Sequence, residues 1–299
     1  MCSSDLSQAV VWVDPAHTDS ATDTSSLKAM LTSGAAANKV LSANYTRVFV
    51  SAYSATNFGW LGSYPRSVFT TEQRANEIAE IRDFVAYILK TYGKTGKSFV
   101  LKTWEGDWEL MGNYDINSVV EKDQVDAIVA WHQARREGMR QGIEAARAAG
   151  AVNPNFSYSI EFNLPSRAFT MRKYQLDSGE FKEEPFLNVL SDVIPAVSPD
   201  LVTYSSYQTI NAHPASEDSL DGNVLSKYWG VRADFQKLLP RVKHPLVISE
   251  YLFESGDIVK DGRDMQQTLL AIADSGIDTV RSTVTFALFS HFEIGRAHV

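Results

Sequence analysis

The sequence predicts an α/β protein, a (β/α)8 TIM barrel truncated at its N-terminal strand, and three observations carry that prediction. Short β-branched runs alternate with longer amphipathic stretches along the chain, the pattern of βα units and a parallel sheet. The alternation yields seven strand candidates, one fewer than a closed eight-stranded barrel needs. No Gly-rich turn follows the first strand, as it would in an open, doubly wound sheet.

The elements follow in order. AVVWV (9–13) is the first strand, then a polar turn rich in Asp, Ser and Thr, then a helical stretch from about Ser26. RVFVSAYS (47–54) is the second strand. In the helix that follows, Ile78, Ile81, Val85, Ile88 and Leu89 recur at three- and four-residue spacing, Thr70 or Thr71 supplies the cap, and Gly93 ends it. SFVLKTW (98–104) is the third strand, and a long amphipathic helix runs from about Val119 to Ala149, stopped by Gly150. FSYSIEFN (156–163), DLVTYSSY (200–207), PLVISEY (245–251) and TVRSTVTFALF (279–289) complete the series, with helices at about 185–194, 224–239 and 262–275. No low-complexity linker or break in composition divides the chain, which predicts a single domain over 7–292.

The two ends read as foreign to that domain. MCSSDL (1–6) and EIGRAHV (293–299) resemble the two strand readings of a sequencing adapter, and are expected to be scars outside the fold. Cys2 is the only cysteine, so the domain itself is expected to hold no disulfide and no thiol nucleophile.

Composition narrows the function. The chain has 299 residues, 44% hydrophobic and 21% charged, as ordinary globular proteins do. A net charge of −8 with interspersed signs argues against nucleic acid as a partner, and no apolar run reaches the roughly 18–20 residues that span a bilayer. YGKTGKS (92–98) imitates a phosphate loop, but Thr91 stands where the first glycine belongs, and the stretch follows a helix and precedes a strand. His17, His132, His213, His244 and His291 are isolated, so no metal or other cofactor is expected; no GxSxG turn presents a serine. A barrel lyase or phosphate enzyme is the third class, for which the sequence offers no suitable lysine or Gly-rich loop. NYT (44–46) and NFS (155–157) match the glycosylation pattern, which is frequent by chance.

In a barrel the site forms where the strands stop. Those positions carry Tyr53 and Ser54, Trp104 and Glu105, Glu161 and Asn163, Tyr204 and Tyr207, Glu250 and Tyr251, and Phe289. KTWEGDWE (102–109) concentrates two tryptophans and three acids directly after a strand. Paired carboxylates are what glycosidic cleavage requires, one protonating the leaving oxygen while the other attacks the anomeric carbon or activates water. Aromatic rings stack on the apolar faces of sugars, and Asp, Asn and Glu bind their hydroxyls. Gly106 is expected to permit a sharp turn as the chain leaves the strand.

The segments KTWEGDWEL, SIEFNL, TYSSY and ISEY together carry a resemblance to a known family. The pattern resembles the clan of retaining barrel glycoside hydrolases whose acid/base Glu ends strand four and whose nucleophile Glu ends strand seven. More narrowly it is similar to a group of bacterial barrel proteins carrying WEGDW and grouped as glycosidases. The resemblance implies Glu105 as acid/base, Glu250 as nucleophile, a carbohydrate substrate, and sugar contacts from Trp60, Trp104, Asp107, Trp108, Asn163, Tyr204, Tyr207 and Tyr251. One departure keeps an alternative open. The clan places Asn before the acid/base Glu, whereas Trp104 precedes Glu105 and Asn163 lies two residues after Glu161. If the strand count shifts by one, Glu161 becomes the acid and Glu105 a substrate-binding carboxylate. A carbohydrate-binding barrel without catalysis is the second function class, since it needs the aromatic platform but not the paired acids.

Overall fold

The computed structural model describes residues 8–15, 21–57, 67–151, 154–176, 178–212, 226–250 and 258–275. The chain divides into two compact units, 1–201 and 202–299.

The first unit opens with β1 (Gln8–Val13), followed by two short helices, α1 (Leu27–Ser33) and α2 (Ala35–Ser42). Ser26 caps α1 by accepting the Ala29 N–H. β2 (Arg47–Ala52) pairs with β1 in parallel. Next comes α3 (Thr71–Tyr92), opened by a full capping box in which Thr70 and Gln73 bond each other's backbone N–H groups at 3.1 and 2.8 Å. Gly93 closes it, as the spacing predicts.

β3 (Ser98–Lys102) lies beside β2 and leads into a six-residue helix, α4 (Gly106–Met111). The long helix α5 (Lys122–Ala148) ends where Gly150 takes the left-handed conformation, φ 84°. It packs on α3 through two glycines. A Cβ on Gly138 would stand 2.7 Å from the Ile78 carbonyl, and one on Gly142 would stand 2.7 Å from the Arg82 carbonyl. β4 (Phe156–Phe162) pairs with β3, so the first unit carries four parallel strands in the order β1-β2-β3-β4. Ile81, Phe84, Val85, Ile88 and Leu89 of α3 and Ile128, Trp131 and Met139 of α5 fill its core.

Between β4 and the end of this unit lies a feature the sequence pattern does not announce. β5 (Met171–Gln175) and β6 (Phe181–Pro185) form an antiparallel ribbon turning at Gly179, φ 84°. The helix expected from 185 starts later, as a π-helical turn (Val189–Val193) capped by Asn188 and running into α6 (Ile194–Val197).

The boundary falls after the first residue of β7 (Leu201–Ser205), and the second unit continues through α7 (Tyr207–Asn211), α8 (Ser226–Leu238), β8 (Leu246–Glu250) and α9 (Ile258–Asp274). β7 and β8 run parallel, Val202 opposite Leu246 and Tyr204 opposite Ile248, with an irregularity before the Ser205–Glu250 pair. Val231, Phe235 and Leu238 of α8 and Ala271 and Ile272 of α9 are buried. TVRSTVTFALF lies outside the described residues. Both units are therefore mixed α/β with parallel strands.

Candidate active site

Glu105, Asp107, Glu109 and Glu161 of the first unit lie at or just past the C-terminal ends of β3 and β4. Lys102, the last residue of β3, is fully buried, an unusual position for an ammonium. Its Nζ bonds Glu161 Oε2 at 2.7 Å, and Glu161 is itself fully buried near the end of β4. The other oxygen, Oε1, accepts the backbone N–H of Glu105 at 3.0 Å. Both Glu161 oxygens are therefore engaged, Oε2 by a cation and Oε1 by a peptide donor.

Glu105 sits in the left-handed region, φ 37° and ψ 60°. For a residue with a side chain this costs roughly 1–2 kcal/mol. A hydrogen bond to a charged group returns about 1.5–3 kcal/mol, so the contact with Glu161 is large enough to hold the conformation. The conformation matters because it turns the chain abruptly from strand into α4. Gly106 contributes something other than the expected turn. Its φ is not positive; instead, a Cβ there would meet the Glu161 carbonyl at 2.5 Å, so glycine lets the start of α4 lie against β4.

Asp107 fixes the next contact. Its Oδ2 accepts the N–H groups of Asn163 and Leu164, both at 3.0 Å, and its Oδ1 accepts that of Val189 at 3.0 Å. Asn163 answers by accepting the Asp107 N–H at 3.1 Å. Both oxygens of a carboxylate read in the sequence as a sugar contact are thus engaged by peptide donors, and Asp107 binds α4, the end of β4 and the π-helical turn together.

Aromatic residues border this cluster. Trp104 is half-buried and meets Trp12 of β1 edge to face, 6.0 Å between centroids. Trp108 is half-buried and meets Tyr114 in the same manner at 5.6 Å. Tyr53, just past β2, accepts the Trp104 N–H at 2.7 Å and donates its hydroxyl proton to Glu109. Burial, and next the charge of Glu109, hold the phenol well above its ordinary pKa, so it stays a donor. The Tyr53 ring stacks on Trp131, which also carries the guanidinium of Arg135 4.7 Å from its centroid and the His132 ring at 4.8 Å. Arg135 is fully buried and paired with Glu77 at 2.7 Å, and Glu77 also accepts from Ser54 at 2.6 Å and Asn57 at 2.8 Å.

The remaining residues singled out in the sequence distribute as follows. Glu250 ends β8 in the second unit. Tyr204 there is fully buried, its hydroxyl 2.5 Å from Thr209 Oγ1 and its ring edge-on to Phe235; Tyr207 opens α7, half-buried. Trp60 and Tyr251 lie outside the described residues. The structure thus brings together Glu105, Asp107, Glu161 and Asn163, with Glu109, one of the three acids of KTWEGDWE, beside them through Tyr53, and adds Lys102, to which the sequence pattern assigns no role. A lysine closing the otherwise apolar strand SFVLK was the available signal. Among the described residues no cluster of His, Cys, Asp and Glu is suited to a metal ion, and no helix is long and apolar enough to cross a membrane.

No family model matches the chain, and no curated protein matches it. Among solved structures it is similar to a beta-glucosidase determined in the apo form, at 9% sequence identity and a TM-score of 0.49, over 93% of this chain and 72% of that one.

Proposed function

We propose that the chain is a glycoside hydrolase built on a (β/α)8 barrel, cleaving O-glycosidic bonds of an oligo- or polysaccharide by double displacement. Glu105 is the acid/base and Glu250 the nucleophile. The observation that carries the choice of acid is the bonding of Glu161. Both Glu161 oxygens are engaged inside the protein, one by the buried ammonium of Lys102 and one by the Glu105 N–H, which gives Glu161 a positioning role beneath Glu105. Glu105, just past β3 in the segment KTWEGDWEL, is the proton donor in this reading, and the Glu161 contact fixes its backbone.

In the first step Glu250 attacks the anomeric carbon while Glu105 gives its proton to the departing oxygen; in the second, Glu105 takes a proton from water, which releases the sugar from Glu250. Trp104, beside Trp12, supports the sugar through ring stacking. The test is a Glu250→Gln variant assayed on a panel of aryl glycosides and oligosaccharides. An enzyme loses turnover and keeps sugar binding. Parent protein that binds sugars and hydrolyses none of the panel overturns the proposal in favour of a binding barrel.

A further inference from the structure

Tyr114 is 74% exposed, a large aromatic side chain that the core does not use. Its loop is nonetheless firmly built. Asn113 accepts the Asp115 N–H and the Ser118 hydroxyl, both at 2.8 Å, and Asp115 accepts the Asn117 N–H at 3.0 Å. From beneath, the buried Arg167 donates to the carbonyls of Ile116 at 2.6 Å and Ser118 at 3.0 Å. An ordered loop thus holds an exposed ring against Trp108, with the two planes inclined at 64°. Trp108 stands one turn after Glu105, its N–H bonded to the Glu105 carbonyl at 2.9 Å.

We propose that Trp108 and Tyr114 form a sugar-binding corner beyond the cleavage point, so that the substrate is a chain of several sugar units and not a disaccharide. This rests on the glycosidase reading and extends it to substrate length. Two rings at an open angle offer one face for the C–H side of a pyranose and one edge for its rim. The exposed side chains of Asp115 and Asn117 beside them supply the acceptor and donor that sugar hydroxyls require. Continuity with Glu105 through a single helical turn favours a glycan over a protein partner for this face.

The experiment is tryptophan-fluorescence titration of the 299-residue chain, and of its Glu105→Gln variant, with two-unit and six-unit glucan, xylan and mannan oligosaccharides. The six-unit form of one sugar should bind about tenfold more tightly than the two-unit form, the scale of a single aromatic contact. Tyr114→Ala should abolish that gain and leave two-unit binding unchanged, while Tyr114→Trp should preserve it. Six-unit binding that survives Tyr114→Ala, equal weakening of both lengths, or no binding by any of the panel overturns the corner. A Tyr114-dependent length gain without hydrolysis keeps the corner and defeats the enzyme; hydrolysis without Tyr114 dependence does the reverse.

Discussion

Lys102 and Glu161 form a fully buried ion pair at the ends of β3 and β4. Removing one partner of a buried ion pair costs about 3–5 kcal/mol, because the other charge is left in a medium that cannot solvate it. Lys102→Met should therefore lower unfolding free energy by about that amount in urea titration, and adding Glu161→Gln should recover part of the loss. A loss within experimental error for the single variant would show that the pair is not closed in solution. Residue identity at this level was only partly legible. The sequence pointed to Glu105 and Glu161 because both stand where apolar strands stop. It offered no means of telling that Asp107 would be taken up by three backbone donors, since those donors come from residues 56 to 82 positions away.

At the scale of elements, α3 and α5 show how two helices approach more closely than ordinary side chains permit. Gly138→Ala would gain up to about 1 kcal/mol in helix propensity. Against this, its methyl would lie 2.7 Å from a main-chain carbonyl and 2.9 Å from Ile81 Cβ, neither of which can turn aside. Overpacking of that kind costs about 1–3 kcal/mol, so the clash wins and the melting temperature should fall by several degrees. An unchanged or raised melting temperature would mean that the helices separate freely. The capped start of α3 and the Gly150 stop of α5 were readable because capping and left-handed turns are local chemistry. The β5–β6 ribbon was not, since its strands RKYQ and FKEE lack an apolar face. Cross-strand ion pairs, Arg172 with Glu184 and Lys173 with Glu183, stabilise it in place of hydrophobic alternation.

For the molecule as a whole, the buried polar layer behind the sheet gives stability a dependence on pH. Burial, and next the charge of Arg135, hold His132 well below its ordinary pKa, and its Nδ1 lies 2.7 Å from the Tyr158 hydroxyl. Unfolded chains protonate this histidine below about pH 6.5 while the folded form does not. Its contribution is thus complete above that pH and is lost as the pH falls toward the depressed folded value, with a slope of up to about 1.4 kcal/mol per pH unit. His132→Gln should flatten the fall in stability between roughly pH 6.5 and 5; an identical slope in parent and variant would refute the assignment. The central claim, that Glu105 is the acid/base of a glycosidase, is tested most directly by azide rescue of Glu105→Ala on an aryl glycoside with a good leaving group. Such a substrate needs no proton to depart, and an anionic nucleophile needs no base to attack the intermediate. Added azide should therefore raise turnover of the variant and yield a glycosyl azide of retained configuration. Undiminished hydrolysis by Glu105→Ala without azide, or rescue that appears only in Glu161→Ala, would contradict the account.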